Sequence, residues 1–119
     1  MERKSDEVMQ MEQSDLCPRL QKGMDIITKR WTGLIIYQLL SGPQRFCAVQ
    51  DALPISGRLL SVRFKDLENE GIITRAVYPD IPVRIEYSLT EKGRALEPVV
   101  RDIQKWSQDW IDSASIAAK

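Results

Sequence analysis

Arg58, Ser61, Val62 and Lys65 recur at helical spacing, with Ser56 and Gly57 just ahead of them and Arg63 at their border. They form a face that is small at its start and basic along its length. Such a face suits the major groove of DNA, where Arg and Lys reach guanine edges and phosphates. An ordinary solvated helix face has the same composition, since Lys and Arg are usually surface residues. A second chemistry belongs to the thiols of Cys17 and Cys47. Cys17 stands just before a predicted helix whose free amides and dipole favour a thiolate, and Arg19 and Lys22 follow it. Cys47 follows Arg45 early in a shorter predicted helix, a weaker version of the same setting. Against both stands the usual fate of a free cysteine, which is to pack as a small apolar residue. The chain has no histidine, so it lacks the usual general base, and two cysteines cannot complete a four-ligand zinc site. Neither a glycine-rich phosphate loop nor a nucleophile elbow occurs. No enzyme activity, metal or cofactor is expected.

The basic face needs a buried one behind it. Leu60, Phe64 and Leu67, with Leu59 beside them, predict a helix that begins at Ser56, capped by the Ser56 hydroxyl after Pro54 ends the preceding element. Phe46, Val49 and Leu53 give one inward face to a short helix before the Pro54-Ile55-Ser56 turn, and two helices so joined make a helix-turn-helix. After Gly71 the period changes to two. Ile73, Arg75 and Val77 alternate with Thr74, Ala76 and Tyr78, and beyond Pro79-Asp80-Ile81-Pro82 the residues Ile85, Tyr87 and Leu89 alternate with Arg84, Glu86 and Ser88. This is a hairpin with a proline-stiffened tip, a wing beside the reading helix. Arg84, near that tip, is placed for a phosphate or minor-groove contact, with Arg75 the lesser candidate; either is equally well a solvated strand residue.

The flanks supply scaffold and a surplus of apolar surface. Leu20, Met24 and Ile27 follow Pro18 at helical spacing and predict a helix over Arg19–Thr28. Trp31, Leu34, Ile35 and Leu39 mark the inward face of a second helix, which Ser41-Gly42-Pro43 ends. Thr90 caps a last helix that Pro98 should bend or split. In it Leu96, Val99, Val100, Ile103, Trp106 and Trp110 form a seam suited to a facing helix. A second copy of the chain is the natural cover, with the tryptophans as anchors; packing on the chain's own first helices is the alternative. Residues 1–16 read as an acidic tail or weak helix, 17–112 as one domain and 113–119 as a C-terminal tail. The fold class is α+β, mainly α: a winged helix-turn-helix with a two-stranded hairpin wing and terminal dimerisation helices.

The 17 basic and 17 acidic residues cancel, which by itself gives no support to nucleic-acid binding. Their distribution says more. Residues 1–15 carry −3, 16–65 carry +6 and 66–119 carry −3, so the positive segment holds the reading face. Without an apolar run able to span a bilayer or a signal segment, the chain is expected in the cytoplasm with reduced thiols.

Cys17-Pro18, ITKRWTGLIIYQLLSGPQRF over 27–46, LENEGIITRAVYPDIPVRIEYSLTEKGRAL over 67–96 and Trp106 recur in an order that resembles the HxlR family of winged-helix transcriptional regulators. The resemblance covers about residues 17–110. It implies a homodimer on a double-stranded, pseudo-palindromic operator, paired through terminal helices that include Leu20 and the Leu96–Trp110 stripe. Carried over by position, the reading helix is 56–70 and the wing 74–89. Some members resemble redox or electrophile sensors built on the cysteine of the CP motif, which here is Cys17. Two departures stand out. Thr28-Lys29-Arg30 replaces a frequent Gly-Gly-Lys before the tryptophan, and Cys47 stands where a small polar residue is common. A winged module that binds protein partners instead of specific DNA is the competing reading, and the neutral net charge is its support.

Overall fold

Helices that each bury one narrow face meet over the base of a β-hairpin. In this computed structural model residues 18–117 are described. Helix α1 covers 18–27; α2 (Thr32–Leu39), α3 (Phe46–Ala52) and α4 (Gly57–Asn69) follow, then strands β1 (Ile73–Tyr78) and β2 (Arg84–Leu89), and α5 (Glu91–Arg94), α6 (Glu97–Trp110) and α7 (Ser113–Ala117). The core draws Ile35, Ile36 and Leu39 from α2, Val49 from α3, Leu60, Phe64 and Leu67 from α4, Ile73 and Leu89 from the hairpin base, and Val100 from α6. No helix among the described residues is long and apolar enough to cross a membrane.

The helix-turn-helix forms as its pattern predicts. Ser56 is the N-cap of α4 and its Oγ accepts the Leu59 N–H at 3.2 Å, a contact of about 1 kcal/mol in such caps. Phe46, Val49 and Leu53 all pack on the core, so α3 lies across α4 as expected. Gly57 permits the close approach: a Cβ there would press on the Gln50 side chain of α3 at 3.0 Å.

The face of α2 differs from the predicted one. Leu34 is exposed, Trp31 is half-buried, and the buried set is Thr32, Ile35, Ile36 and Leu39. The cause is local. Trp31 sits at φ 78°, a left-handed conformation rare for a bulky residue, so α2 starts afresh at Thr32 and its inward stripe follows at i, i+3, i+4 and i+7. In α1, Leu20 and Met24 are exposed where an inward stripe was expected, while Ile26 and Ile27 pack on the core.

The hairpin pairs Ile73 with Leu89 through Tyr78 with Arg84, antiparallel and in register. Alternation buries only its base: Ile73 and Leu89 are covered, whereas Val77 and Tyr78 project into solvent because the wing outruns the helical core. A bridge unforeseen from the pattern adds Gln44 to the outer edge, with Gln44 N–H donating to Tyr87 O at 2.9 Å and Tyr87 N–H to Gln44 O at 2.8 Å.

The C-terminal helix is split, with Pro98 in the first turn of α6, where its missing N–H costs nothing. Thr90 caps α5 by accepting Gly93 N–H at 3.1 Å, and its hydroxyl donates to Gly71 and Ile72 carbonyls. The apolar seam is divided as well. Val100, expected at a subunit contact, is 6 % exposed and belongs to this chain's own core, and Leu96 packs partly on that core. Val99, Ile103, Trp106 and Trp110 face solvent, reaching 76 % exposure at Trp110. Crossing α2 takes the start of α6 inward, and the rest runs past the domain. The expected C-terminal tail holds the short helix α7, whose first turn Asp112 caps by accepting Ala114 N–H at 3.0 Å.

Gly93 has no room for a side chain, since a Cβ would fall on the Ile72 carbonyl oxygen. Gly93→Ala should therefore destabilise the fold by about 1–3 kcal/mol, read as a lower urea midpoint at unchanged slope. An unchanged midpoint would contradict this packing.

Candidate nucleic-acid interface

Packing fixes which side of α4 is free. Phe64 meets Phe46 edge-on, centroids 5.6 Å apart, and Tyr87 at 4.4 Å, so the helix is held between α3 and β2 and cannot roll. Arg58, Ser61, Val62 and Lys65 consequently face solvent, as the spacing predicts. The wing stands next to them. A groove of about 280 Å³ runs between α4 and the hairpin, with Ser61, Lys65 and Glu68 on one wall, Arg75 on the other, and Phe64 and Tyr87 beneath. Arg58, Lys65 and Arg75 form no ion pair with any described residue. Three uncommitted cations thus share one surface.

The other two arginines expected at the interface are engaged within the chain. Arg63 Nε donates to the Arg30 carbonyl at 2.9 Å, and its Nη1 meets Asp66 at 3.3 Å, which turns it away from the open face and toward the α1–α2 junction. Arg84 lies 4.0 Å over the Tyr78 ring, with Nε on Asp80 at 3.0 Å and Nη1 on Glu86 at 2.7 Å. These carboxylates, Asp80 foremost, raise its already high pKa further. Arg84 braces the wing rather than offering a free charge. Of the two wing arginines, the lesser candidate, Arg75, is the one beside the reading helix.

A line of ion pairs joins α1 to the far side of α4, and spacing alone did not reveal it. Lys22 reaches Glu70 at 3.2 Å and Lys29 reaches Asp66 at 3.0 Å. Lys92 Nζ, from α5, donates to the Glu70 carbonyl at 2.6 Å. The Glu70 Oε2 is buried without a partner among the described residues. Of the thiols, Cys47 is exposed in the first turn of α3. Cys17 lies outside the described residues.

A second open surface runs along the terminal helices. Ile27, Trp31, Leu34 and Tyr37 face Val100 and Ile103 across a groove of about 530 Å³. Gln104 closes one side by donating to Tyr37 Oη at 2.9 Å, and Arg101 lies 5.5 Å over the same ring. Val99, Trp106 and Trp110 on α6 are exposed as well, as is Leu20 on α1.

Known proteins are similar to this chain in sequence and in fold. A family model described as HxlR-like helix-turn-helix matches residues 26–115. The HTH-type transcriptional regulator YvaP of Bacillus subtilis strain 168 is 56 % identical over 103 residues, covering 86 % of this chain and 95 % of that protein. The reduced form of the transcriptional regulator YodB from B. subtilis superposes with a TM-score of 0.72 at 40 % identity, over 82 % of this chain and 96 % of that one. The redox regulator HypR in its oxidised form gives a TM-score of 0.75 at 36 % identity, over 79 % and 98 %.

The ion-pair line gives the stability an acid dependence. The Lys29 ammonium, hydrogen-bonded to Asp66, holds that carboxyl below its ordinary 3.8, with smaller contributions from Arg63. A depressed folded-state value means the stabilisation is complete above the unfolded value and disappears as pH falls through the folded one. Asp66 is partly open to solvent, so the effect should be small. Urea midpoints measured between about pH 5 and 2 should fall less steeply for Asp66→Asn than for the parent. Parallel curves would contradict the pairing.

Proposed function

We propose, because this chain belongs to the HxlR-like helix-turn-helix family and is a DNA-binding transcriptional regulator, that it works as a homodimer on a pseudo-palindromic operator and senses oxidants or electrophiles through Cys17. The observation that carries the operator reading is that Lys65 and Arg75 line one groove between α4 and the wing while Arg58 is exposed on the same helix, none of the three ion-paired with a described residue. Arg58, at the N-terminal end of α4, reads base edges. Lys65 and Arg75 hold phosphates on either side of that groove, while Ser56, Gly57, Ser61 and Val62 keep the approach close. Arg63 and Arg84 contribute by holding α4 and the wing in place. Pairing is supported by the uncovered stripe of Val99, Ile103, Trp106 and Trp110, to which exposed Leu20 adds; Leu96 and Val100 anchor α6 to its own domain. Half-sites one DNA turn, about 34 Å, apart require the pairing to hold two α4 helices at matching distance.

The sensing role is supported by the position of Cys17 just before α1, with Arg19 and Lys22 in the turns that follow. HypR, a redox regulator, and YodB, solved in a reduced form, are structural relatives. Thiolate oxidation there would act on α1, which the Lys22–Glu70 pair ties to the end of α4, with Lys29–Asp66 fastening the turn that follows it. Cys47, exposed on α3 and on the opposite side of the turn from α4, is a secondary candidate.

An operator selected from random duplexes should bind two protomers, with affinity falling steeply as salt rises. Lys65→Ala and Arg75→Ala should each weaken binding to all sequences and make the salt slope shallower by about one, whereas Arg58→Ala should relax discrimination at one base pair by about 1–3 kcal/mol. Intact binding in all three variants would contradict the assigned face. Diamide should change operator affinity for the parent and not for Cys17→Ser. Equal affinity of the parent with and without diamide would remove the sensing role.

A further inference from the structure

The end of the wing combines an exposed apolar group with a cation that has no charge to spare. Ile81 is 100 % exposed, and Val77, Tyr78 and Val83 beside it are also exposed. Arg84 is shared between Asp80 and Glu86 and stacked on Tyr78. For Arg84 to hold a phosphate, both pairs would have to break, leaving two carboxylates facing the DNA backbone. The tip is therefore poorly suited to ionic contact and well suited to apolar contact. It is also continuous with the basic groove: β1 carries Arg75 past Lys65 and then on to the tip. Duplex seated on α4 brings that tip to a neighbouring minor groove, where apolar side chains of this size can enter between base steps and bend the helix.

The geometry points to Ile81 as a wedge in the minor groove, with Val83 against the sugar wall and Arg84 acting as the internal brace that keeps the tip rigid. This rests on the operator-binding reading above and changes its account of the wing: the tip selects DNA by groove shape and ease of bending, and the ionic share falls to Lys65 and Arg75. Discrimination would favour flexible or A·T-rich steps at positions that α4 does not touch.

The test uses the full chain and an operator selected from random-sequence duplexes, comparing the parent with Ile81→Ser and Ile81→Leu. A fully exposed position leaves folding unaffected, which matching urea curves verify. Ile81→Ser should lower affinity about tenfold to a hundredfold for each wing engaged, the size expected for losing burial of one aliphatic side chain. The slope of affinity against salt should stay as in the parent, and the bend seen by gel mobility of permuted fragments should shrink. Ile81→Leu should restore both affinity and bend. Netropsin, a minor-groove ligand, should compete with the parent more strongly than with Ile81→Ser. Parental affinity and bend in Ile81→Ser would overturn the wedge and leave the tip as a surface for protein. A loss accompanied by a shallower salt slope would also overturn it, in favour of ionic contact. Failure of the parent to enrich any sequence would instead remove the operator reading beneath it.

Discussion

The contact of Phe64 with Phe46 on one side and Tyr87 on the other sets the rotation of α4, and with it the reading face and the groove beside the wing. A helix turns 100° per residue, so a slip of one position would bring Arg58 and Lys65 toward the core and Leu60 and Phe64 into water. Exposing one such apolar side chain costs about 1.5–3 kcal/mol, and burying an unpaired cation costs more. The aromatic cluster also joins α4 to two further elements: Phe46 brings α3, and Tyr87 brings the wing with Gln44 paired to its edge. The reading face and the wing are thus one rigid unit with a shared floor.

The neutral net charge is reconciled by a division of labour among the cations. Lys22, Lys29, Arg63 and Arg84 are matched to carboxylates inside the chain, where they fasten α1 to α4 and stiffen the wing. Arg58, Lys65 and Arg75 are left unmatched by described residues and lie on one surface. Exposed ion pairs are individually weak, so those four contribute positioning more than stability. A phosphate backbone responds to local positive density, which the sum over the chain conceals.

The two helices around Pro54, the capped start of α4 and the two strands of the hairpin were legible because each depends on neighbours in sequence: a cap, a turn, a period. Other features depend on the path of the chain. Trp31 in a left-handed conformation resets the phase of α2, so Thr32 and Ile36 replace Leu34 in the core, and no composition signal announces it. The seam of α6 reads as uniform along its length, yet where the helix crosses α2 is a matter of tertiary geometry, and that crossing gives Val100 to the core and Trp110 to solvent. Arg63 and Arg84 look like any surface arginine until their partners are seen, Arg30 O and Asp66 for one, Asp80 and Glu86 for the other. The apolar tip is plain in Val77-Tyr78-Pro79-Asp80-Ile81-Pro82-Val83, whereas the role of Arg84 after it depends on partners that only the folded hairpin brings together.

That α6 is seated at one end and uncovered at the other makes it a lever. Its fulcrum is Val100 against α2, and Trp110 lies ten residues further on, about 15 Å along the axis. A tilt of only about 5° would sweep Trp110 through roughly 1.3 Å at that arm length. Whatever grips the outer tryptophans therefore also applies torque to α2, the helix whose buried face backs α3 and, through it, the pitch of α4.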